Sequence, residues 1–298
     1  MGCLNSEGQF EHWFGNIHLS GKCSRSCYFC IGQHMMSLDP FNNLDVWPLT
    51  NIDKFIEQCN TKGIKEVNLT GSNTDPLLYK HLEELTKYIR ERIPNVVLGI
   101  RTNGVGDIDL LRHFDKGSMS ITSFNEKIYK KTMGQGHPPV FNLKKILSSG
   151  YPIADNLKIN VVLCPELLSG FLFRDIDQTI LSISKLDKIK RINVRQPYGQ
   201  PHINDPFSDR SLHKMVYGNP CYLIRDMEVT VWDVHYTEVE SVNLYANGIV
   251  SITYPVTKGC HPVYGDVKGQ ENFTTSGRVN EQWLNYGKQS INDVVTNP

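Results

Sequence analysis

Cys23, Cys27 and Cys30 lie in the stretch Lys22-Cys23-Ser24-Arg25-Ser26-Cys27-Tyr28-Phe29-Cys30, a C-x3-C-x2-C spacing on one short loop. Three thiolates so placed can hold three irons of a [4Fe–4S] cube and leave the fourth iron without a protein ligand. An iron left open is a place for chemistry as well as a store for an electron. His34 follows Cys30 by four positions, so a Cys3His zinc tetrahedron is the rival reading of the same residues. Structural zinc modules are usually short and loop-rich. Here the loop follows a strand pattern and precedes a long α/β chain, which favours the cube.

The elements that must position this loop follow from apolar periodicity. Strands are expected at Asn16–Ser20, Glu66–Thr70, Val96–Ile100, Ser118–Thr122, Leu157–Leu163 and Arg191–Arg195. Between them, helical patterns run over Ile52–Lys62, Leu77–Arg92, Ile108–Phe114, Glu126–Met133, Leu143–Ser149 and Ile176–Ser184. Strands alternating with helices imply a parallel sheet with right-handed crossovers, as a full or partial (β/α)6 barrel. In such folds the chemistry collects beyond the carboxyl ends of the strands. After Pro201 the pattern turns to strands at Val229–Trp232, Ser241–Tyr245 and Ile249–Thr253, with Asn247-Gly248 as a hairpin signal. The expected organisation is an N-terminal segment 1–15, an α/β core 16–201 and a β-rich C-terminal extension or lid 202–298.

Several strand ends carry residues with a plain structural reading beside a functional one. Leu69-Thr70-Gly71-Ser72-Asn73-Thr74-Asp75-Pro76 leaves the second strand, where Asp75 would cap a turn with Pro76 in its first position. Thr102-Asn103-Gly104 ends the third strand, and Asn-Gly alone is a turn signal. Lys158 lies within the fifth strand among apolar neighbours. Such a lysine either asks for an anion or acid nearby or reaches solvent at the rim.

The cysteine spacing, with an aromatic before the last cysteine, resembles the signature of the radical S-adenosylmethionine (SAM) superfamily. The nearest pattern is the subfamily typified by the GTP 3',8-cyclase of molybdenum-cofactor synthesis, over residues 16 to 200. The resemblance implies that the open iron chelates the SAM amine and carboxylate, and that an electron from the cluster releases a 5'-deoxyadenosyl radical. It implies that Phe29 contacts the adenine, and that Gly71, Ser72, Asn73 and Asp75 receive the SAM ammonium in place of the family's Gly-Gly-Glu-Pro. Asn103, Ser120 and Gln196 fall at further cofactor-binding positions, with Thr122 where the subfamily has an aspartate and Gln196 where it has a methionine. Lys158 matches a substrate-contacting lysine, and Arg195 at the end of the sixth strand is a second substrate candidate. Asn68 and Lys22 replace two subfamily arginines, and the region after Pro201 lacks the three cysteines of a second cluster, so the chain departs from that enzyme.

Composition bounds the rest. A chain of 298 residues with 40% hydrophobic content can bury a sizeable core, and 31 basic against 31 acidic residues disfavour a nucleic-acid partner. No apolar run reaches the length of a membrane span, no secretory leader is expected, and the sparse cysteines fit a reducing cytosol. Met1-Gly2-Cys3 fits a lipidation pattern, with a frayed terminus as the plain alternative. Cys221 and Cys260, with Cys59 or Cys164, could form a second cluster or be small buried residues. His202, His235, Tyr236, Tyr254, His261, Tyr264 and Trp283 could line a substrate pocket or pack in a β core. The expected function is hydrogen abstraction from a small molecule or nucleotide, with a peptide substrate or a glycyl-radical activase as alternatives. A non-catalytic zinc-binding protein is the alternative of another class. An external electron donor such as flavodoxin or ferredoxin is implied.

Overall fold

The computed structural model describes residues 13–32, 41–168, 174–197, 203–233 and 240–252. Its centre is a run of parallel strands: β1 (Trp13–Leu19), β2 (Glu66–Gly71), β3 (Val97–Thr102), β4 (Lys116–Ser120), β5 (Leu157–Val162) and β6 (Arg191–Arg195). They pair in chain order, as βαβ crossovers require. The crossovers carry α1 (Ile52–Thr61), α2 (Leu82–Arg92), α3 (Glu126–Met133), α4 (Val140–Ser148), the single turn α5 (Pro165–Leu168) and α6 (Asp175–Ser184).

The C-terminal strands continue this same sheet. After β7 (Lys214–Val216) and β8 (Asn219–Ile224), β9 (Met227–Trp232) pairs in parallel with β6, and β10 (Glu240–Leu244) pairs in parallel with β1. The full order is β11-β10-β1-β2-β3-β4-β5-β6-β9-β8-β7, with β11 (Val250–Ser251), β8 and β7 joined antiparallel. The two flanks of the central α/β run are therefore each extended by a strand from the C-terminal region. The fold is α/β, a partial barrel. The Asn247-Gly248 turn forms: Gly248 takes φ 83° and donates its N–H to the Tyr245 carbonyl at 2.8 Å.

Strand alternation assigns the faces. Gly15, Ile17 and Leu19 face the helices: a Cβ at Gly15 would lie 2.8 Å from Phe55 Cζ and 3.2 Å from Cys59 Sγ, both on α1. Ile56, Leu85, Ile89, Leu143, Ile146, Ile180 and Ile183 complete this apolar layer. The opposite face carries Asn16 and His18 on β1, Asn68 on β2, Arg101 on β3, Ser118 on β4, Lys158 and Asn160 on β5, Asn193 and Arg195 on β6, and Asn243 on β10, matched strand to strand by register. Asn16, His18, Asn68, Ser118, Asn160 and Asn243 are nonetheless buried. A polar sheet face that is buried is one that curves in on itself.

Several local outcomes differ from the sequence expectation, the helix expected over Ile108–Phe114 among them, which is a 3-10 turn at Ile108–His113. The helix expected over Leu77–Arg92 is a 3-10 turn at Pro76–Leu78 followed by α2, because Tyr79 turns extended and donates its hydroxyl to the Val46 carbonyl at 2.8 Å. β4 begins at Lys116, two residues early. Gly117, which reads as a turn residue, is where the Pro152–Asp155 turn presses on the strand, and a Cβ there would meet Ile153 Cδ1 at 2.6 Å. β7 and β8 had no alternation to announce them, and Pro220 sits at the start of β8.

Candidate metal and cofactor site

The cysteine loop leaves the carboxyl end of β1 and is held from three sides. Ser26 and Tyr28 donate backbone N–H groups to the carbonyls of Met133 and Thr132, at the end of α3, each at 3.3 Å. Gly134 makes that approach possible: at φ 93° its Cβ would lie 2.0 Å from Ser26 Oγ. Arg25 reaches back to Tyr129 on α3, donating from Nε to the phenol oxygen at 3.2 Å. On the second side, Tyr28 donates its hydroxyl to Glu166 Oε2 at 2.9 Å, tying the loop to the turn after β5.

The third side is the loop after β2. Asn73 Oδ1 accepts from Ser20 Oγ at 2.8 Å and from the Gly21 N–H at 2.9 Å, and Thr74 Oγ1 donates to the Lys22 carbonyl at 3.1 Å. The two loops touch at Gly32, where a Cβ would stand 2.1 Å from the Ser72 carbonyl oxygen. Gly71 lets the loop curl, since its Cβ would be 1.8 Å from the Thr74 oxygen.

Asp75 is 2% exposed and its carboxylate meets three donors. It accepts from the Leu77 N–H at 3.0 Å, from Thr102 Oγ1 at 2.9 and 3.0 Å, and from the Asn103 N–H at 2.5 Å. Burial pushes this carboxyl up to about 6, against the pull of those hydrogen bonds and of Arg25. Asp75 braces the β2 loop against the end of β3. What the brace positions is Asn103, whose Nδ2 lies 3.7 Å from Cys23 Sγ and donates to Ser24 Oγ at 3.1 Å.

The remaining expected positions separate. Phe29 is buried under the loop, edge-to-face with Tyr28. Ser72 is 3% exposed at the loop contact, and its Oγ has no hydrogen-bond partner among the described residues. Ser120 ends β4 beside Asn160 in register. The Gln196 amide bonds Ile203, donating to that carbonyl at 2.6 Å and accepting its N–H at 3.1 Å. Lys158 and Arg195 both belong to the polar face, with Arg195 beside Val162 in register. Among the described residues Lys158 makes no salt bridge with an acid. Burial, then the charges of Arg101, Arg191, Arg195 and Lys116, bring it down to about 7. Sequence reasoning missed Arg101, and the strand alternation that would place it opposite the helices was its only signal.

Cys59, Cys164 and Cys221 are buried on three separate elements, α1, the turn after β5, and β8. Cys260 and His34 lie outside the described residues, as do the 1–12 segment, His202, His235, Tyr236, Tyr254, His261, Tyr264 and Trp283.

The donor set suits a cube. Cys23, Cys27 and Cys30 are half-buried and lie in no disulfide among the described residues. Burial raises Cys23, and burial with the charges of Cys30 and Cys23 pushes Cys27 up to about 12, so thiolates here call for positive charge close by. Donors already aim at the sulfurs: the Arg25 N–H lies 3.4 Å from Cys23 Sγ and the Gly32 N–H 3.3 Å from Cys30 Sγ. A cube takes one thiolate per iron, and three thiolates on one loop meet that need.

A family model described as the Radical SAM superfamily matches residues 17–166. A GTP 3',8-cyclase of Rhodococcus opacus (strain B4) is 27% identical over 164 residues, 52% of this chain and 44% of that protein. A GTP 3',8-cyclase of Clostridium perfringens (strain 13 / Type A) is 26% identical over 154 residues, 50% of this chain and 46% of that protein. The chain thus spans less than half the length of these curated relatives. Among solved structures, Streptococcus suis SuiB bound to S-adenosylmethionine aligns with TM-score 0.43 at 16% identity, covering 65% of this chain and 41% of that one. Methylornithine synthase (PylB) aligns with TM-score 0.42 at 18% identity, covering 66% and 57%.

Proposed function

The chain belongs to the radical SAM superfamily, and on that footing we propose that it is an enzyme that cleaves SAM at a [4Fe–4S] cluster held by Cys23, Cys27 and Cys30 and turns the radical on a small-molecule or nucleotide substrate. The cluster, held by Cys23, Cys27 and Cys30, would supply the electron for reductive cleavage of SAM. The protein's own part is to bind, orient and exclude water.

Asn103 and the N–H groups of Arg25 and Gly32 hydrogen-bond the sulfurs. Asp75 fixes Asn103 through its backbone. Gly71 and Ser72 form the wall against which SAM rests, with the unpartnered Ser72 hydroxyl available to it and Phe29 beneath. Ser120 and Arg195 stand at strand ends facing the same chamber. The substrate enters the polar face below, which is lined by small amides and hydroxyls and suits a polar small molecule. A reduced flavodoxin- or ferredoxin-type donor delivers the electron, and a reducing cytosol keeps the thiols free. Among the described residues no helix is long and apolar enough to cross a membrane.

The observation that carries this reading is the clamping of the three-cysteine loop between Met133, Asn73 and Asn103 at the carboxyl ends of parallel strands. The test is anaerobic reconstitution followed by SAM and dithionite. Close to four irons and four sulfides per chain and release of 5'-deoxyadenosine are expected, with neither in Cys23→Ala. A colourless protein that binds zinc stoichiometrically and makes no 5'-deoxyadenosine would overturn it.

A further inference from the structure

Met133 closes α3 and meets the middle cysteine of the loop. Its Sδ lies 3.6 Å from Cys27 Sγ, and its carbonyl oxygen lies 3.8 Å from the same sulfur. With the thiol protonated, the Cys27 S–H donates towards these atoms. A cysteine that ligates iron has given up that proton. The same thioether and carbonyl then face a sulfur that carries negative charge. Both are electron-rich, and the carbonyl belongs to the C-terminal end of α3, where the helix dipole is negative.

A methionine side chain ordinarily adapts to whatever gap it finds. Here its sulfur is pinned. Thr122 Oγ1 donates to Met133 Sδ at 3.2 Å, and both residues are buried. A thioether is a weak acceptor, but the bond spares a buried hydroxyl the cost of having none. Thr122 follows the end of β4 and stands where the subfamily has an aspartate, and its hydroxyl is turned onto Met133. The helix end is also stitched to the loop, since Ser26 and Tyr28 donate their N–H groups to the Met133 and Thr132 carbonyls. Met133 and Cys27 are therefore held together through side chain and backbone alike.

We propose that Met133, its sulfur pinned by Thr122, is a positioning residue for the Cys27 corner of the cluster and holds the reduction potential down. The inference rests on the cluster reading of the three cysteines and adds a cause for strong reducing power. The reduced form of a cluster carries the more negative charge, so N–H donors at a ligand sulfur raise the potential and electron-rich neighbours lower it. Donors act at the other corners, where the Arg25 N–H and the Asn103 amide approach Cys23 and the Gly32 N–H approaches Cys30. At Cys27 its own N–H and the Arg25 charge work in that same sense. The Met133 thioether and carbonyl oppose them. A low potential is what one-electron reduction of a sulfonium asks of its donor.

The experiment is a redox titration of the anaerobically reconstituted full chain, followed by electron paramagnetic resonance, without SAM. Met133→Gln, similar in shape, puts amide N–H groups where the thioether stood and is expected to raise the potential above that of the wild type. Met133→Leu keeps the volume and removes the sulfur, and its potential is expected to fall between those two. Thr122→Val releases the sulfur. It is expected to shift the potential when Met133 is present and to leave that of Met133→Leu unmoved, a coupling that a double-mutant cycle reads. Iron content and thermal melting check that each variant keeps its cluster and fold. If Met133→Gln does not, the cycle of Met133→Leu with Thr122→Val decides by itself. Equal potentials in the wild type and the Met133 variants, or the same Thr122→Val shift in both backgrounds, overturn the proposal. A wild-type chain that takes up no cluster overturns the cysteine reading and this inference with it, whereas a cluster whose potential ignores Met133 overturns this inference alone.

Discussion

The side-chain amide of Asn103 lies 3.7 Å from the sulfur of Cys23, although the two are separated by the whole of β2, β3 and their crossovers. The same amide bonds Ser24 Oγ, so it is directed at the cysteine loop by two contacts. An N–H group at a thiolate sulfur stabilises the more negative, reduced state of a cluster. Asn103→Ala is therefore expected to lower the reduction potential of the reconstituted protein, read by a redox titration followed by electron paramagnetic resonance. An unchanged potential would remove Asn103 from the cluster's surroundings.

Asp75 is predicted to matter for stability before it matters for binding. Asp75→Ala strands the Asn103 and Leu77 N–H groups and the Thr102 hydroxyl in a buried place, and the expected cost is about 3 kcal/mol. Urea unfolding of the cluster-free protein measures it. A loss under about 0.5 kcal/mol would be that of an ordinary surface carboxylate.

Gly32→Ala tests the contact between the two loops. The new methyl meets a backbone oxygen, which has nowhere to retreat, and the cysteine loop must move off Ser72 and Asn73. A displacement of about 1 Å at a reacting centre costs about 100-fold, so SAM cleavage by the loaded variant should fall by that order while its iron content is kept. Equal rates in variant and wild type would show that the contact does not set the geometry.

Lys158 imposes a pH dependence on stability whose sign follows from its environment. Its folded value, about 7, is below the 10.5 of the free side chain. Between these limits the unfolded chain keeps the proton and the folded chain does not, so stability rises with pH from about 7 towards 10.5. The urea midpoint should climb across this window and lose that part of its slope in Lys158→Met. A flat wild-type profile would place the ammonium in solvent.

Much of this was legible in the sequence, and the limits have physical causes. The cysteine spacing is local, and the β1 to β6 pattern is a matter of alternation, so both could be read directly. Asn103 and Ser72 could be nominated from their motifs, and both stand at the loop contacts. Asp75 and Gln196 could be placed but not assigned, because a carboxylate or an amide at a strand end serves backbone donors as readily as a ligand. The partnering of β9 with β6 and of β10 with β1 depends on contacts far apart in the chain, and no local pattern distinguishes an added parallel strand from a separate β lid. Arg101 was hidden because its neighbours Gly99 and Ile100 read as an ordinary strand. Only the register with Ser118 and Lys158 shows that its side chain belongs to the buried polar face.

The most direct test of the account is the electron paramagnetic resonance spectrum of the anaerobically reconstituted, reduced protein before and after SAM is added. A [4Fe–4S]+ signal whose shape changes on adding SAM, and which is absent in Cys27→Ala, is the predicted result. A cluster signal indifferent to SAM, or no such signal from a fully reconstituted chain, would contradict it.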